Sequence, residues 1–264
     1  DTSTIVVDGV VSTPTDLRLG MVVTIECKIH PDNVTGIAHS VSVEEALRGP
    51  VSAVTANAIT VLGQTVYLDS TTFLDNFTDV NQLIGTAVEI SGYMQTSGTV
   101  SATRIERLAE PVTQTKVRGT IEDLNNDVKT LRIGSLVINF ANVINMPVLA
   151  SGNIVEIEGI MNTISGQFDA QEIEVKTLQI ANAPKFEYQG AVTIDFDSKT
   201  GEFMVDDLRV RTTASTTYKG LKANELLVGI RVEVEGALVN GIVQAKNVEL
   251  KSPSGTTSVT PLDD

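Results

Sequence analysis

The sequence predicts an all-β chain of tandem small five-stranded, OB-like barrels, each with a short helical turn. Three observations carry that reading. A glycine recurs at a fixed period, one strand pattern appears four times, and a second pattern follows each copy of it. Gly49, Gly119 and Gly190 lie 70 and 71 residues apart, and each opens an apolar alternation. A period of this size marks tandem copies of one small unit and overrides the one or two domains that 264 residues would otherwise suggest. The predicted units are residues 1–46 (an incomplete first barrel), 47–114, 115–182 and 183–253, followed by a tail at 254–264.

Each element follows from its pattern. The opening strand begins at the recurring glycine, in Gly49-Pro50-Val51, Gly119-Thr120-Ile121 and Gly190-Ala191-Val192. The middle of each unit holds a hairpin, around Leu62-Gly63-Gln64, Gly134-Ser135 and Asp206-Asp207. A leucine-containing segment comes next, as in Asp16-Leu17-Arg18-Leu19-Gly20 and Glu225-Leu226-Leu227-Val228-Gly229, and reads as one helical turn plugging the barrel end.

The signature strand is Gly20-Met21-Val22-Val23-Thr24-Ile25-Glu26-Cys27 in the first unit, and it recurs from Gly85, Gly152 and Gly229. Its alternation is strict: Val23, Ile25 and Cys27 point one way, Thr24 and Glu26 the other. Val88, Val155 and Val232 match Val23, with Glu89, Glu156 and Glu233 beside them facing out. Period two with acids on one side marks a half-buried antiparallel strand. Gly92, Gly159 and Gly236 end the run, and a glycine there implies a bulge or sharp bend. The returning strand repeats as glycine, a small residue at +4, a β-branched one at +7 and Glu at +8: Gly98, Ala102, Ile105, Glu106, and likewise from Gly36, Gly166 and Gly241. The leading glycine suits a hairpin turn.

Composition narrows the function. A net charge of −14 and a pI near 4.5 argue against a nucleic-acid partner, which needs clustered Lys and Arg. Apolar stretches are strand-length and interrupted, so no membrane span is expected. The start at Asp1, without Met or a signal-peptide pattern, fits a processed secreted protein or a chain boundary. Units of about 70 residues are only marginally stable alone, so contacts between neighbours are expected to matter. Cys27, the single cysteine, excludes an intrachain disulfide and reads as a small buried hydrophobe.

These residues resemble a bacterial family of secreted tandem-repeat proteins, the domain of unknown function 5666. The likeness lies in Asp16-Leu17-Arg18-Leu19-Gly20-Met21-Val22-Val23, Gly49-Pro50-Val51-Ser52-Ala53-Val54, Val61-Leu62-Gly63-Gln64-Thr65-Val66 and the pattern from Gly98 to Glu106. The resemblance implies export to the periplasm or beyond and a small β-barrel repeat, and it implies no activity. Members carry further strand-forming sequence ahead of the segment matching Thr4-Ile5-Val6-Val7-Asp8-Gly9, which is where this chain departs.

Candidate sites are sparse. His30 and His39 are the only histidines, and neither stands in a nucleophile–base pattern or offers, with Cys27, a full zinc set. Asp195-Phe196-Asp197-Ser198-Lys199-Thr200-Gly201-Glu202 has the residue types of an oxygen-ligand loop for Ca²⁺, but they are also ordinary turn residues, and the turn is the expectation. Asn33-Val34-Thr35 and Asn76-Phe77-Thr78 match the glycosylation triplet. No catalytic centre, cofactor or metal is expected.

Two function classes remain. One is a non-enzymatic extracellular or cell-surface scaffold subunit, polymerising head to tail by strand complementation. The other is a secreted or periplasmic binding module for a small ligand or divalent cation. The first reading rests on the incomplete first unit, which lacks an opening strand like those at Gly49, Gly119 and Gly190. Its assembly residues are Ile5, Val7 and Val10 on the acceptor and Thr257, Val259 and Leu262 on the tail. Residues ahead of Asp1 are an equal candidate for the donor, and a separately packed first unit is the plain alternative.

Overall fold

The computed structural model describes residues 4–7, 10–30, 36–43, 45–96, 98–109, 114–176, 182–206 and 208–251. They form an all-β chain in three sheets, with only three short 3-10 turns. The first unit contributes β1 (Thr4–Val7), β2 (Val10–Ser12), β3 (Val23–Ile29) and β4 (Gly36–Val43), a four-stranded sheet in the order β2-β1-β4-β3. The second has β5 (Leu47–Val54), β6 (Ala58–Val61), β7 (Gln64–Tyr67), β8 (Phe73–Asp75), β9 (Ala87–Thr96) and β10 (Thr99–Arg107). The third has β11 (Thr115–Thr120), β12 (Glu122–Asn125), β13 (Thr130–Ile133), β14 (Leu136–Asn139), β15 (Ile154–Met161) and β16 (Phe168–Val175). The fourth has β17 (Ala183–Asp197), β18 (Glu202–Val205), β19 (Leu208–Arg211), β20 (Thr217–Lys219), β21 (Arg231–Val239) and β22 (Ile242–Leu250).

Strand pairing in the second unit runs in a circuit: β5 to β6 to β7 antiparallel, β7 to β10 parallel, β10 to β9 and β9 back to β5 antiparallel. The fourth unit repeats the circuit with β17, β18, β19, β22 and β21. In the third, the opening strand is broken into β11 and β12, which take the same two partners. The register is shared too. Gly49 pairs with Val88, Gly119 with Val155 and Gly190 with Val232. A Cβ on any of these glycines would meet the turn of the middle hairpin, at Leu62, Ile133 or Asp206. The period of glycines is thus a packing requirement.

The signature strands behave as their alternation implies. Val88, Ile90, Val155, Ile157, Val232 and Val234 are fully buried. Their glutamate neighbours are half-buried and ion-paired across strands, with Lys116 Nζ 3.4 Å from Glu156 and Lys251 Nζ 3.0 Å from Glu233. The register slips by one residue beside Gly159 and Gly236, and a Cβ there would lie 2.2 Å from the carbonyl oxygen of Asp169 or Gln244. This is the bulge that the terminal glycine implied.

Two units are not separate. The second and third share one twelve-stranded sheet through β5 and β11, where Val117 pairs with Leu47, and their buried side chains form a single core. Gln64, buried between them, donates from Nε2 to the Ile133 carbonyl at 2.9 Å. The fourth unit has its own core and touches the second where the Arg231 guanidinium lies 4.3 Å from the centre of the Tyr93 ring. Burial of Tyr93 there pushes its hydroxyl pKa above the usual value.

Two expectations need correcting. The plugging helical turn occurs as 3-10 geometry at Pro14–Asp16, Val80–Leu83 and Ala223–Glu225, whereas residues 141–153 of the third unit contain no helix. That stretch is short and holds Pro147 and Asn145, the latter at φ +60°, which break a helical run. Cys27 is exposed, not buried. Its strand lacks the opening-strand neighbour that covers the same face in the other units.

Candidate assembly site

The site is the first unit itself. β1 and β2 pair antiparallel with Val7 opposite Val10, and residues 8 and 9 lie outside the described set. The chain then enters a 3-10 turn closed by Asp16, whose Oδ2 accepts from the Thr13 backbone N–H and hydroxyl, each at 2.8 Å. Those bonds hold the Asp16 carboxyl below its ordinary pKa. From there β3 runs antiparallel to β4, and β1 lies parallel on the C-terminal half of β4, Ile5 opposite Val41 and Val7 opposite Val43.

In the complete units the signature strand has a partner on each side. β3 has one. Among the described residues it pairs with β4 alone, and β2 pairs with β1 alone. The side chains record the difference. Val23 is 38% and Ile25 53% exposed, while Val88, Ile90, Val155, Ile157, Val232 and Val234 at the same places are at 0%. Ile37 on β4 and Val10 and Val11 on β2 are also exposed. An apolar sheet face with unpaired edge N–H and C=O groups is a template for another strand.

This open sheet is held in place. Thr103 donates its hydroxyl to the Gly20 carbonyl at 2.6 Å, and Arg104 Nη1 donates to the Leu19 carbonyl at 3.2 Å. Arg104 is buried, pairs with Asp75 and Glu106, and sits 5.3 Å above the Phe73 ring. Gly20 adopts φ +85°, and a Cβ there would lie 2.6 Å from the Thr103 carbonyl oxygen, so the junction accepts little else.

Of the assembly residues expected from the sequence, Ile5 is buried, Val7 half-buried and Val10 exposed, all within one hairpin. Thr257, Val259 and Leu262 lie outside the described residues. Sequence reasoning did not single out Val23 and Ile25 as exposed apolar residues of this sheet. The available signal was Cys27 in a place that is glycine in the other three units.

The other candidates resolve locally. Asp197 caps a hairpin turn, accepting from the Lys199 N–H at 2.8 Å and the Thr200 hydroxyl at 3.0 Å, while the Gly201 N–H donates to its carbonyl at 2.8 Å. His30 follows β3 and is half-buried, and His39 lies exposed on β4. Among the described residues no group of three or more His, Cys, Asp or Glu side chains is placed to hold a metal ion. Cavities of about 260 Å³ beside Lys129, Phe140, Val143 and Met146 and of about 490 Å³ beside Thr65, Glu122, Arg132 and Ser135 lie in the second and third units. Among the described residues no helix is long and apolar enough to cross a membrane.

No curated protein matches this chain. Among solved structures, one titled "drosophila Unr CSD456" aligns at 17% identity over 78% of this chain and 97% of its own, with a TM-score of 0.20, too low to carry any argument. The family comparison is informative, because residues 48–106 and 189–249, within the second and fourth units, match one family model. The chain therefore carries two copies of the domain of unknown function DUF5666.

Proposed function

We propose that this protein is a non-enzymatic structural subunit, placed outside the cell or at its surface, that joins copies head to tail by strand complementation. The observation that supports it best is the contrast between Val23 and Ile25, exposed on a strand with a free edge, and their six buried counterparts. Main-chain hydrogen bonds along that edge supply affinity and alternate side chains supply specificity. A donor outside the first unit makes the contact heterologous, which generates rings or open filaments. The extracellular setting rests on the resemblance of the repeats to an exported family.

The proposal includes the fold of the units. We read each closed circuit as a small OB-like barrel, because its pairs run first to second to third to fifth to fourth to first, with the third and fifth parallel. A β-solenoid would instead stack parallel strands coil upon coil, whereas here each circuit closes within one repeat and is mostly antiparallel. On this reading the first unit is an open four-stranded sheet, in which β1 lies on the C-terminal half of β4, where β8 rather than β7 lies on β10. β4 and β1 are parallel, β3 and β2 are each antiparallel to a neighbour, and both free edges require an antiparallel partner.

Electron microscopy and light scattering of the full chain test the reading. Fibres or rings that grow with concentration are expected. Discrete monomers at every concentration would overturn it and favour the binding-module alternative.

A further inference from the structure

The donor can be named, on the strand-complementation reading just given. We propose that it is residues 254–260 of a second copy, laid antiparallel on β3 with Gly255 opposite Val23.

The three complete units set the requirements. Every opening strand places glycine opposite the signature valine, because a Cβ there would strike the turn of the middle hairpin. Two residues later comes a buried β-branched side chain: Val51, Ile121 or Val192. Outside the four units the sequence holds a single glycine, Gly255, and Thr257 is the residue two places on.

Charge is compatible with this register. In the second and third units the residue before the glycine is an arginine facing a glutamate, Arg48 opposite Glu89 and Arg118 opposite Glu156. The first unit has Thr24 where those glutamates stand, and the tail has Ser254 where those arginines stand. Arg48 and Glu89 form an ion pair, Gln189 faces Glu233 in the fourth unit, and Thr24 opposite Ser254 is a neutral pair that leaves no charge unmatched. Pro253, which lacks an N–H, suits the point at which pairing begins.

A second copy is the natural source. Lys251 is pinned in the fourth unit by its N–H to the Arg231 carbonyl at 2.9 Å and its ammonium to Glu233. Four residue steps then lead to Gly255, a reach of roughly 14 Å at full extension. A donor from the same chain needs the β3 edge inside that radius, and a second copy does not.

The test is a cysteine pair in the full chain. With Cys27→Ser as background, Thr24→Cys and Ser254→Cys place two outward-facing side chains directly opposite in this register. Mild oxidation is expected to give a ladder of covalent multimers on a non-reducing gel, at least tenfold more than Thr24→Cys with Thr256→Cys, which is two residues out of register. A linked species of monomer size would overturn the second-copy assignment. Equal linking by both pairs would overturn the register. Fibres that form without any linking would overturn the donor assignment while leaving strand complementation standing, whereas absence of assembly in the unsubstituted chain removes that reading as well.

Discussion

Val23 and Val88 hold the same place on the signature strand, yet Val23 is 38% exposed and Val88 is fully buried. Val88 lies in the joined core of the second and third units and β5 pairs with its strand, whereas among the described residues nothing pairs with the outer edge of β3. The two positions should therefore answer the same substitution in opposite ways. Val88→Asp buries an unpaired charge and is expected to cost about 4 kcal/mol or more, unfolding the joined second and third units. Val23→Asp is expected to change the stability of the dissociated chain by about 0.5 kcal/mol or less, and to abolish assembly. Calorimetry of each variant, with light scattering, checks both halves.

Because the second and third units share one core, they should melt in a single transition. Gln64→Ala removes the buried hydrogen bond to the Ile133 carbonyl and leaves that oxygen short of a partner. A loss of about 1–3 kcal/mol from the common transition is expected. A split into two transitions would show that the sheet junction does not couple them.

The fourth unit leans on the second through Arg231 and Tyr93. The attraction is to the ring face, so Tyr93→Phe should keep it, while Tyr93→Leu should lower stability by about 1 kcal/mol. Equal losses in both variants would assign the contact to the hydroxyl instead.

Acidity has a predictable effect on the fourth unit. Partial burial, with Glu233 and Glu235 nearby, pushes the Glu187 carboxyl pKa above its ordinary value of 4.5. The folded state then holds a proton that the unfolded state has released. Stability from this group is fully present below the unfolded pKa and is lost as pH rises through the raised one. Glu187→Gln should flatten that dependence and raise the melting temperature at neutral pH by about 1 °C, a surface-sized effect. Melting curves between pH 4 and pH 7 provide the comparison.

Much of the fold was legible in the sequence, because strict alternation in the signature strand identifies the strand and its apolar face. Alternation does not say whether that face is covered. Cys27 was misread for this reason: its burial depends on a strand from a distant part of the chain. The shared sheet of the second and third units was hidden likewise, since the β5–β11 pairing joins residues about 70 apart with no local signal. The helical turn missing from the third unit was better signposted, by Pro147 in a shortened segment. Of the candidate site, Ile5, Val7 and Val10 lie in the same sheet as the exposed Val23 and Ile25, whose exposure the alternation did not signal.

Amide hydrogen exchange along β3 tests the central claim most directly. In the dissociated chain the backbone amides of residues 23–28 that face away from β4 should exchange at rates close to those of an unprotected edge. In assembled material the same amides should slow by at least a hundredfold, while those of β9, β15 and β21 stay as they were. Unchanged exchange at β3 between dissociated and assembled chains would contradict strand complementation at this edge.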